Sequence, residues 1–350
     1  MKYHIVLTSS HAERIKRENL GQAVPRSDLT LLAQKLNASF IEQQSCSVKA
    51  IDKIRAKLAG TPNNWAYARL LSSQLGSQDV VFCPGEGIGI PLATICRLKQ
   101  KRPKIVVWFH RITGLRTRVA LKLFGISSAI DLAVVSSRIN QHFLHNYLNL
   151  PLEQILFWWH PIDSQFFTPR LVSNPKTKPT IASIGLEYRD YRLLAAATET
   201  LNVDVKVAGF SQFQSRISTS FPKVLPNNMT NKNYRWSELI DLYHRADIVV
   251  IPLRENNSAA GVTVLLEAMS CKKPIVCIRT KGLKEYLDEA AVLTVVPGDV
   301  AGLQQAIVYL LDNPQEAQEM AQRAFELANK KHNLEQQVEV LTRFILTLES

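Results

Sequence analysis

The sequence predicts an α/β fold made of two doubly wound domains, each a parallel sheet with crossover helices. Three observations carry that prediction. Short β-branched runs alternate with longer helical stretches, the pattern of strand–crossover–strand units. The runs are apolar almost without interruption, as strands buried on both faces must be. The series also occurs twice, on either side of one Pro- and Lys-rich segment.

In the first half the strands read as "YHIVLTS" (3–9), "ASFIE" (38–42), "DVVFC" (79–83), "KIVVWF" (104–109) and "DLAVVS" (131–136). The second half repeats the plan with "TIASIG" (180–185), "VDVKVAG" (203–209), "ADIVVIPL" (246–253), "PIVCI" (274–278) and "AVLTVV" (291–296). Between them, "TPRLVSNPKTKPT" (168–180) lacks helical periodicity and reads as a linker. The expected division is an N-terminal domain over residues 1–169 and a C-terminal domain over residues 170–350. Helices are expected near 300–312, 314–331 and 333–348. The apolar spacing of Val338, Leu341, Phe344, Ile345 and Leu348 suits a helix packed on one face, and this last helix is a candidate to pack back on the N-terminal domain. Tandem Rossmann-like domains place a ligand crevice between them, at the carboxyl ends of the strands.

Composition agrees with this plan. A chain of 350 residues, 46% of them hydrophobic, can bury two ordinary cores. The five cysteines (46, 83, 96, 271 and 277) are scattered without metal-binding spacing, which points to buried thiols and a reducing, cytoplasmic setting. No run reaches the roughly 18 apolar residues that suggest a bilayer span, and the apolar core of "MKYHIVLTSSHAERIKREN" is too short for a signal peptide.

Charge is distributed unevenly. Residues 1–165 hold 21 Lys/Arg against 10 Asp/Glu, whereas residues 166–350 hold 21 against 20. Nearly all of the net +12 therefore lies in the first half. That asymmetry reads either as a docking face for an anionic partner or as a solubility surface.

The stretch "RENNSAAGVTVLLEAMSCKKPIVCIRTKG" (254–282) carries the chemistry. Ser258, Ala259, Ala260 and Gly261 are small, so a ligand can approach the backbone closely. A helix begins near Val262, and its first N–H groups lack intrahelical acceptors at the positive end of the macrodipole. Such an end suits a diphosphate, with the Thr263 hydroxyl beside it. Glu267, just over one turn further on, is placed to accept hydrogen bonds from ribose hydroxyls. Local features alone read equally as a nucleotide-diphosphate clamp or as an ordinary βα loop before a core helix.

The order of strand, small-residue loop and "LLEAMSCKKPIVCIRTKGLKEYL" resembles the donor site of GT-B fold glycosyltransferases, in particular retaining enzymes of the family-4 type (glycosyl transferases group 1). "SIGLEYRDYRLLAAA" (183–197) resembles the first strand and helix of that family's donor domain, and "ELIDLYHRADIVVIPL" (238–253) the helix–strand pair before the donor loop. "AVVSSRINQHFL" (133–144) and "PIDSQFFTP" (161–169) resemble the stretches that close its N-terminal domain. The resemblance covers most of residues 79–330 and is looser over the first 78.

The resemblance implies transfer of a sugar from a nucleotide-sugar with retention of anomeric configuration, with no cofactor and usually no metal. It assigns the ribose to Glu267, the second acid of the family's Glu-x7-Glu motif, and the diphosphate to the backbone at Ala260, Gly261, Val262 and Thr263. Arg189 is the implied cation for the diphosphate leaving group, although Gly185-Leu186-Glu187 stands where the family has Gly-Arg-Leu. His110, ending "KIVVWFH", matches a His above the donor sugar, where it positions the sugar rather than attacking it. At the place of the motif's first Glu stands Ala259, with Glu255 the nearest upstream acid, and Ser9 and Ser10 replace the family's Gly-Gly. These departures fit a divergent donor site or a protein that has lost catalysis; the intact loop and Glu267 favour the former.

Two further features belong to the N-terminal domain. "CPGEGIGIPLA" (83–93) opens a helix after a strand; its glycines read as turn packing, with Glu86 on the acceptor side. Nine basic residues lie between Arg97 and Lys122, and the helix at 115–124 carries Arg116, Arg118 and Lys122 among Leu115, Val119, Leu121, Leu123 and Phe124, with Arg111 just ahead of it. This reads as an element for an anionic membrane surface or as a solvated face with its apolar side in the core. The expected acceptor is then a lipid, a lipid-linked glycan or a polysaccharide, met at the inner face of the membrane. No nucleic-acid-binding motif accompanies the charge, so a nucleic-acid partner is not expected. A non-catalytic GT-B subunit that binds nucleotide or glycan is the alternative, motivated by Ala259.

Overall fold

The computed structural model describes residues 1–7, 9–112, 114–170, 177–209 and 220–349. The middle of the expected linker, residues 171–176, lies outside this set. The chain divides into two units, one comprising Met1–Gln22, Arg26–Trp159 and Glu335–Ser350, the other Ala23–Pro25 and His160–Leu334.

The first unit is built on six parallel strands: β1 (Lys2–Leu7), β2 (Ser39–Glu42), β3 (Asp79–Cys83), β4 (Lys104–Phe109), β5 (Leu132–Val135) and β6 (Ile155–Phe157), in the order β2-β1-β3-β4-β5-β6. Its helices are α1 (Ser9–Asn19), α2 (Asp28–Leu36), α3 (Ala50–Ala56), α4 (Pro62–Gln74), α5 (Glu86–Cys96), α6 (Leu115–Leu123) and α7 (Arg138–Leu148). The central strands β3, β4 and β5 are buried along almost their whole length, which is why their sequences do not alternate. Helix starts are set locally. Ser27, Thr61 and Ser137 each accept a backbone N–H from the first turn of α2, α4 and α7, and Pro62 occupies the first position of α4, where no N–H is missed.

The second unit repeats the plan with β7 (Thr180–Ile184), β8 (Asp204–Ala208), β9 (Met229–Asn231), β10 (Ile248–Ile251), β11 (Ile275–Ile278) and β12 (Leu293–Val295), all parallel, in the order β12-β11-β10-β7-β8-β9. Its helices are α8 (Tyr191–Thr198), α9 (Trp236–Arg245), α10 (Val262–Ser270), α11 (Val300–Asp312) and α12 (Pro314–Lys331). The sequence-predicted fold class therefore holds, as two parallel six-stranded α/β sheets. Two strands escaped the sequence reading, β6 ("ILF") and β9 ("MTN"). Both are three-residue edge strands.

The last helix, α13 (Leu334–Leu346), belongs to the first unit from Glu335 onward. Trp158 Nε1 donates to the Gln337 carbonyl at 2.7 Å, and Val338, Leu341 and Ile345 are all at most 1% exposed. Each such aliphatic side chain contributes about 1.5–3 kcal/mol on burial. The ion pairs Arg26–Glu335 and Lys35–Glu339 are partly exposed and add little beside it. Four of the five cysteines are buried as free thiols, with Cys46 half-buried. No helix among the described residues is long and apolar enough to cross a membrane.

Candidate functional site

In the second unit, β10 ends in a loop that is tied down before α10 begins. Buried Asn256 accepts from the Ser258 N–H (3.1 Å) and hydroxyl (3.0 Å), and its own amide donates to the Arg254 carbonyl. Glu255 Oε1 accepts from the Lys281 N–H at 3.0 Å, so the nearest acid to the vacant motif position is engaged with backbone. Ala259 contributes its carbonyl, which accepts from the Val262 N–H.

Gly261 caps α10 in the left-handed region, with φ of 92°. A Cβ there would meet Leu253 and Ile251 at 3.1 and 3.2 Å, so both conformation and space call for glycine. Ala260 and Val262 are buried and Thr263 is exposed. The N–H groups of Thr263 and Val264 have no acceptor among the described residues. The helix thus offers two unsatisfied donors at the positive end of its dipole.

Arg189 adds a full charge beside that start. It is 2% exposed, and its Nη1 lies 3.5 Å from the position of a Gly261 Cβ. Its guanidinium donates to the carbonyls of Ile184 (2.8 Å) and Glu187 (3.0 Å), and no carboxylate among the described residues pairs with it. A buried cation held only by neutral carbonyls is costly and is the arrangement an incoming anion stabilises. Gly185 makes room for it: with φ of 97°, a Cβ there would lie 2.8 Å from Nη2.

Glu267 is 4% exposed, one turn inside α10. Its Oε2 accepts from the Tyr243 hydroxyl at 2.5 Å. Tyr243 is fully buried, and desolvation, then the Glu267 charge, pushes its phenol well above the usual range. Thr263 Oγ1 lies 3.3 Å from His160 Nε2, and the His160 carbonyl accepts from buried His332 Nδ1 at 3.0 Å. Sequence reading missed Tyr243 and His160. The only signals for them were a Tyr in "ELIDLYHRAD" and a His in "WWHPID", neither of which announces a neighbour 24 or 103 residues away.

In the first unit, His110 follows β4 and is exposed at its carboxyl end. Its Nε2 lies 3.0 Å from the Pro84 carbonyl, which can only accept, so Nε2 is the donor in this contact. That contact leaves Nδ1 as the ring nitrogen to meet a hydroxyl. Glu86 is brought against the same turn, with its two oxygens accepting from the N–H groups of His110 (3.0 Å) and Arg111 (3.3 Å). That role is structural for the loop. Buried Asn140 donates to the His110 carbonyl, and its Oδ1 is left without a hydrogen bond among the described residues.

Arg118 and Lys122 lie over the aromatic pair of α7. Arg118 is 5.0 Å from the Phe143 ring centre and Lys122 is 5.0 Å from that of Tyr147. Such contacts hold the cations at the surface at a gain of about 0.5–1 kcal/mol each. The Arg116 side chain lies outside the described residues. The apolar face of α6 does not all turn inward: Ala120 and Leu121 are buried, but Leu115 is 79% and Leu123 67% exposed.

Residues 174–327 match the model of the family described as Glycosyl transferases group 1. No curated protein matches the chain in sequence. Among solved structures, the chain is similar to a sucrose-phosphate synthase from Thermosynechococcus elongatus, at 15% identity and a TM-score of 0.74 over 99% of both chains. A glycosyltransferase from Rickettsia africae ESF-5 matches at 17% identity and a TM-score of 0.66, again over 99% of both. HepE from Anabaena, solved in complex with UDP, matches at 13% identity and a TM-score of 0.67, over 99% of this chain and 100% of that one. Likeness at these identities is likeness of fold. Residues 174–327 are thus similar to the glycosyl transferases group 1 family, and the chain as a whole shares the GT-B fold of these structures.

Proposed function

We propose that the protein transfers a sugar, with retention, from a nucleotide-sugar to a lipid, lipid-linked glycan or polysaccharide at a membrane surface, without a metal. One observation carries the donor half of this reading. Arg189, buried and unmatched by any described carboxylate, lies beside the unsatisfied N–H groups of Thr263 and Val264. That combination suits a diphosphate, and the family match over the same residues supports a sugar nucleotide as its bearer. Glu267 would take the ribose, and His110 the donor sugar through Nδ1. Solved structures of HepE with UDP and with UDP-glucose make uridine nucleotides the first to try.

A nucleoside diphosphate at about 100 times its Kd should stabilise the protein by about 2.7 kcal/mol. Thermal unfolding with UDP, ADP and GDP, free and sugar-linked, measures this. A melting temperature unmoved by all of them would remove the donor site. The non-catalytic reading rests on Ala259; slow donor hydrolysis that disappears in Glu267→Ala would exclude it.

For the acceptor side, Leu115, Val119 and Leu123 recur at every fourth residue of α6 and are all exposed, beside Arg118 and Lys122. That is the composition of an interfacial helix, and each cation near an anionic leaflet contributes on the order of 1 kcal/mol. Sedimentation with phosphatidylserine-containing vesicles should carry down the wild type. Leu115→Asp/Leu123→Asp should remain in solution. Equal binding to neutral vesicles would contradict the electrostatic part.

A further inference from the structure

Glu267 is a carboxylate among buried neighbours: Val264, Leu265, Leu266, Ala268 and Met269 are all at most 6% exposed. A charge in such surroundings must be hydrogen-bonded to persist. Tyr243, on α9, meets it from across the unit with a hydroxyl 2.5 Å from Oε2. The phenol ring is itself fixed, edge-on to buried Phe167 with centroids 6.0 Å apart. Donor and acceptor are thus both immobilised, and the proton remains on the phenol because burial and the adjacent carboxylate hold its ionisation far above neutrality.

We infer that Tyr243 is a positioning residue that holds Glu267 in one orientation as a ribose acceptor, making the site selective for ribonucleotide over deoxyribonucleotide donors. This rests on the donor-site reading above. A free Glu side chain samples many rotamers, and a ribose diol that had to order it would bind more weakly. With Oε2 pinned by a charge-assisted bond, the carboxylate presents one geometry to the two hydroxyls. A donor lacking those hydroxyls gains nothing from it. Tyr243 therefore acts on the ribose term alone and leaves the diphosphate contacts of Arg189 and the α10 start unchanged.

The test is calorimetric titration of the full chain with whichever of UDP, ADP and GDP binds most tightly, and with its 2′,3′-dideoxy counterpart. Wild type should prefer the ribonucleotide, and Tyr243→Phe should shrink that preference about tenfold, the effect of one charge-assisted hydrogen bond, with dideoxynucleotide affinity unchanged. In a Glu267→Gln background, Tyr243→Phe should shift the preference much less. Tyr243→Met, whose flexible thioether fills an apolar slot, serves if the Phe variant does not fold. A preserved preference in the variants, or an equal loss for both nucleotides, overturns the inference while the donor site stands. Failure of wild type to bind any nucleoside diphosphate overturns the donor site itself, and this inference with it.

Discussion

Arg189→Met is expected to abolish the stabilisation that nucleoside diphosphates confer, while the ligand-free protein remains as stable as wild type or gains slightly. Two terms oppose each other in the ligand-free state. The guanidinium supplies hydrogen bonds to the Ile184 and Glu187 carbonyls, worth about 1.5–3 kcal/mol each when charged. Against them stands the cost of a cation at 2% exposure with no described carboxylate beside it, several kcal/mol after relaxation. Methionine loses both and fits the same irregular space. With ligand the balance tips one way. A diphosphate at the α10 start loses its charged partner, and affinity should fall about 100-fold, or roughly 2.7 kcal/mol. Paired thermal unfolding of both proteins, with and without nucleotide, measures the two terms. A variant that melts far below wild type without ligand yet still responds to nucleotide would make Arg189 a structural residue.

The second large effect is on pH. Burial is the main cause that holds His332 down to about 4, with Lys331 lowering it further and its bond to the His160 carbonyl raising it. The ring is 2% exposed and stacks on Tyr286 at 5.5 Å. An unfolded histidine titrates near 6.5, so between pH 6.5 and about 4 the unfolded chain binds a proton that the folded one does not. Stability must therefore rise with pH across that window and be lost on acidification. The depression corresponds to roughly 3 kcal/mol. Denaturant unfolding at pH 7 and pH 4.5 should show wild type losing most of this amount, and His332→Gln losing correspondingly less between the same two conditions. Equal losses in the two proteins would mean that His332 is not the group responsible.

How much of this was legible beforehand depends on the range of the interactions concerned. Ten of the twelve strands among the described residues were visible, the central ones because burial on both faces writes an apolar run into consecutive residues, and the α10 start because small residues, Gly261 and Glu267 lie within one short segment. Edge strands β6 and β9, three residues each, were not read as strands. Tyr243 escaped because its meaning depends on a partner on another helix. Glu86 was placed with the acceptor, yet its carboxylate holds the backbone of the turn at His110, a role that only the spacing of two loops in space reveals. The outward leucines of α6 were recognised as apolar, but periodicity cannot say which way a stripe faces when both faces of a helix carry such residues.

The placement of α13 bears on how the chain is made. The first unit draws its sheet from residues before 160 and one of its helices from after 334, whereas the second unit is almost a single continuous segment. Domains emerging from the ribosome generally fold as units, the N-terminal one first. Here the sheet that is synthesised first must wait, its Val338–Leu341–Ile345 partner face missing, until the whole second unit has been made. The second unit can reach its native state ahead of it. The first unit is thus completed after the second, and during that interval the apolar surface that Val338, Leu341 and Ile345 later cover stays open to misassociation.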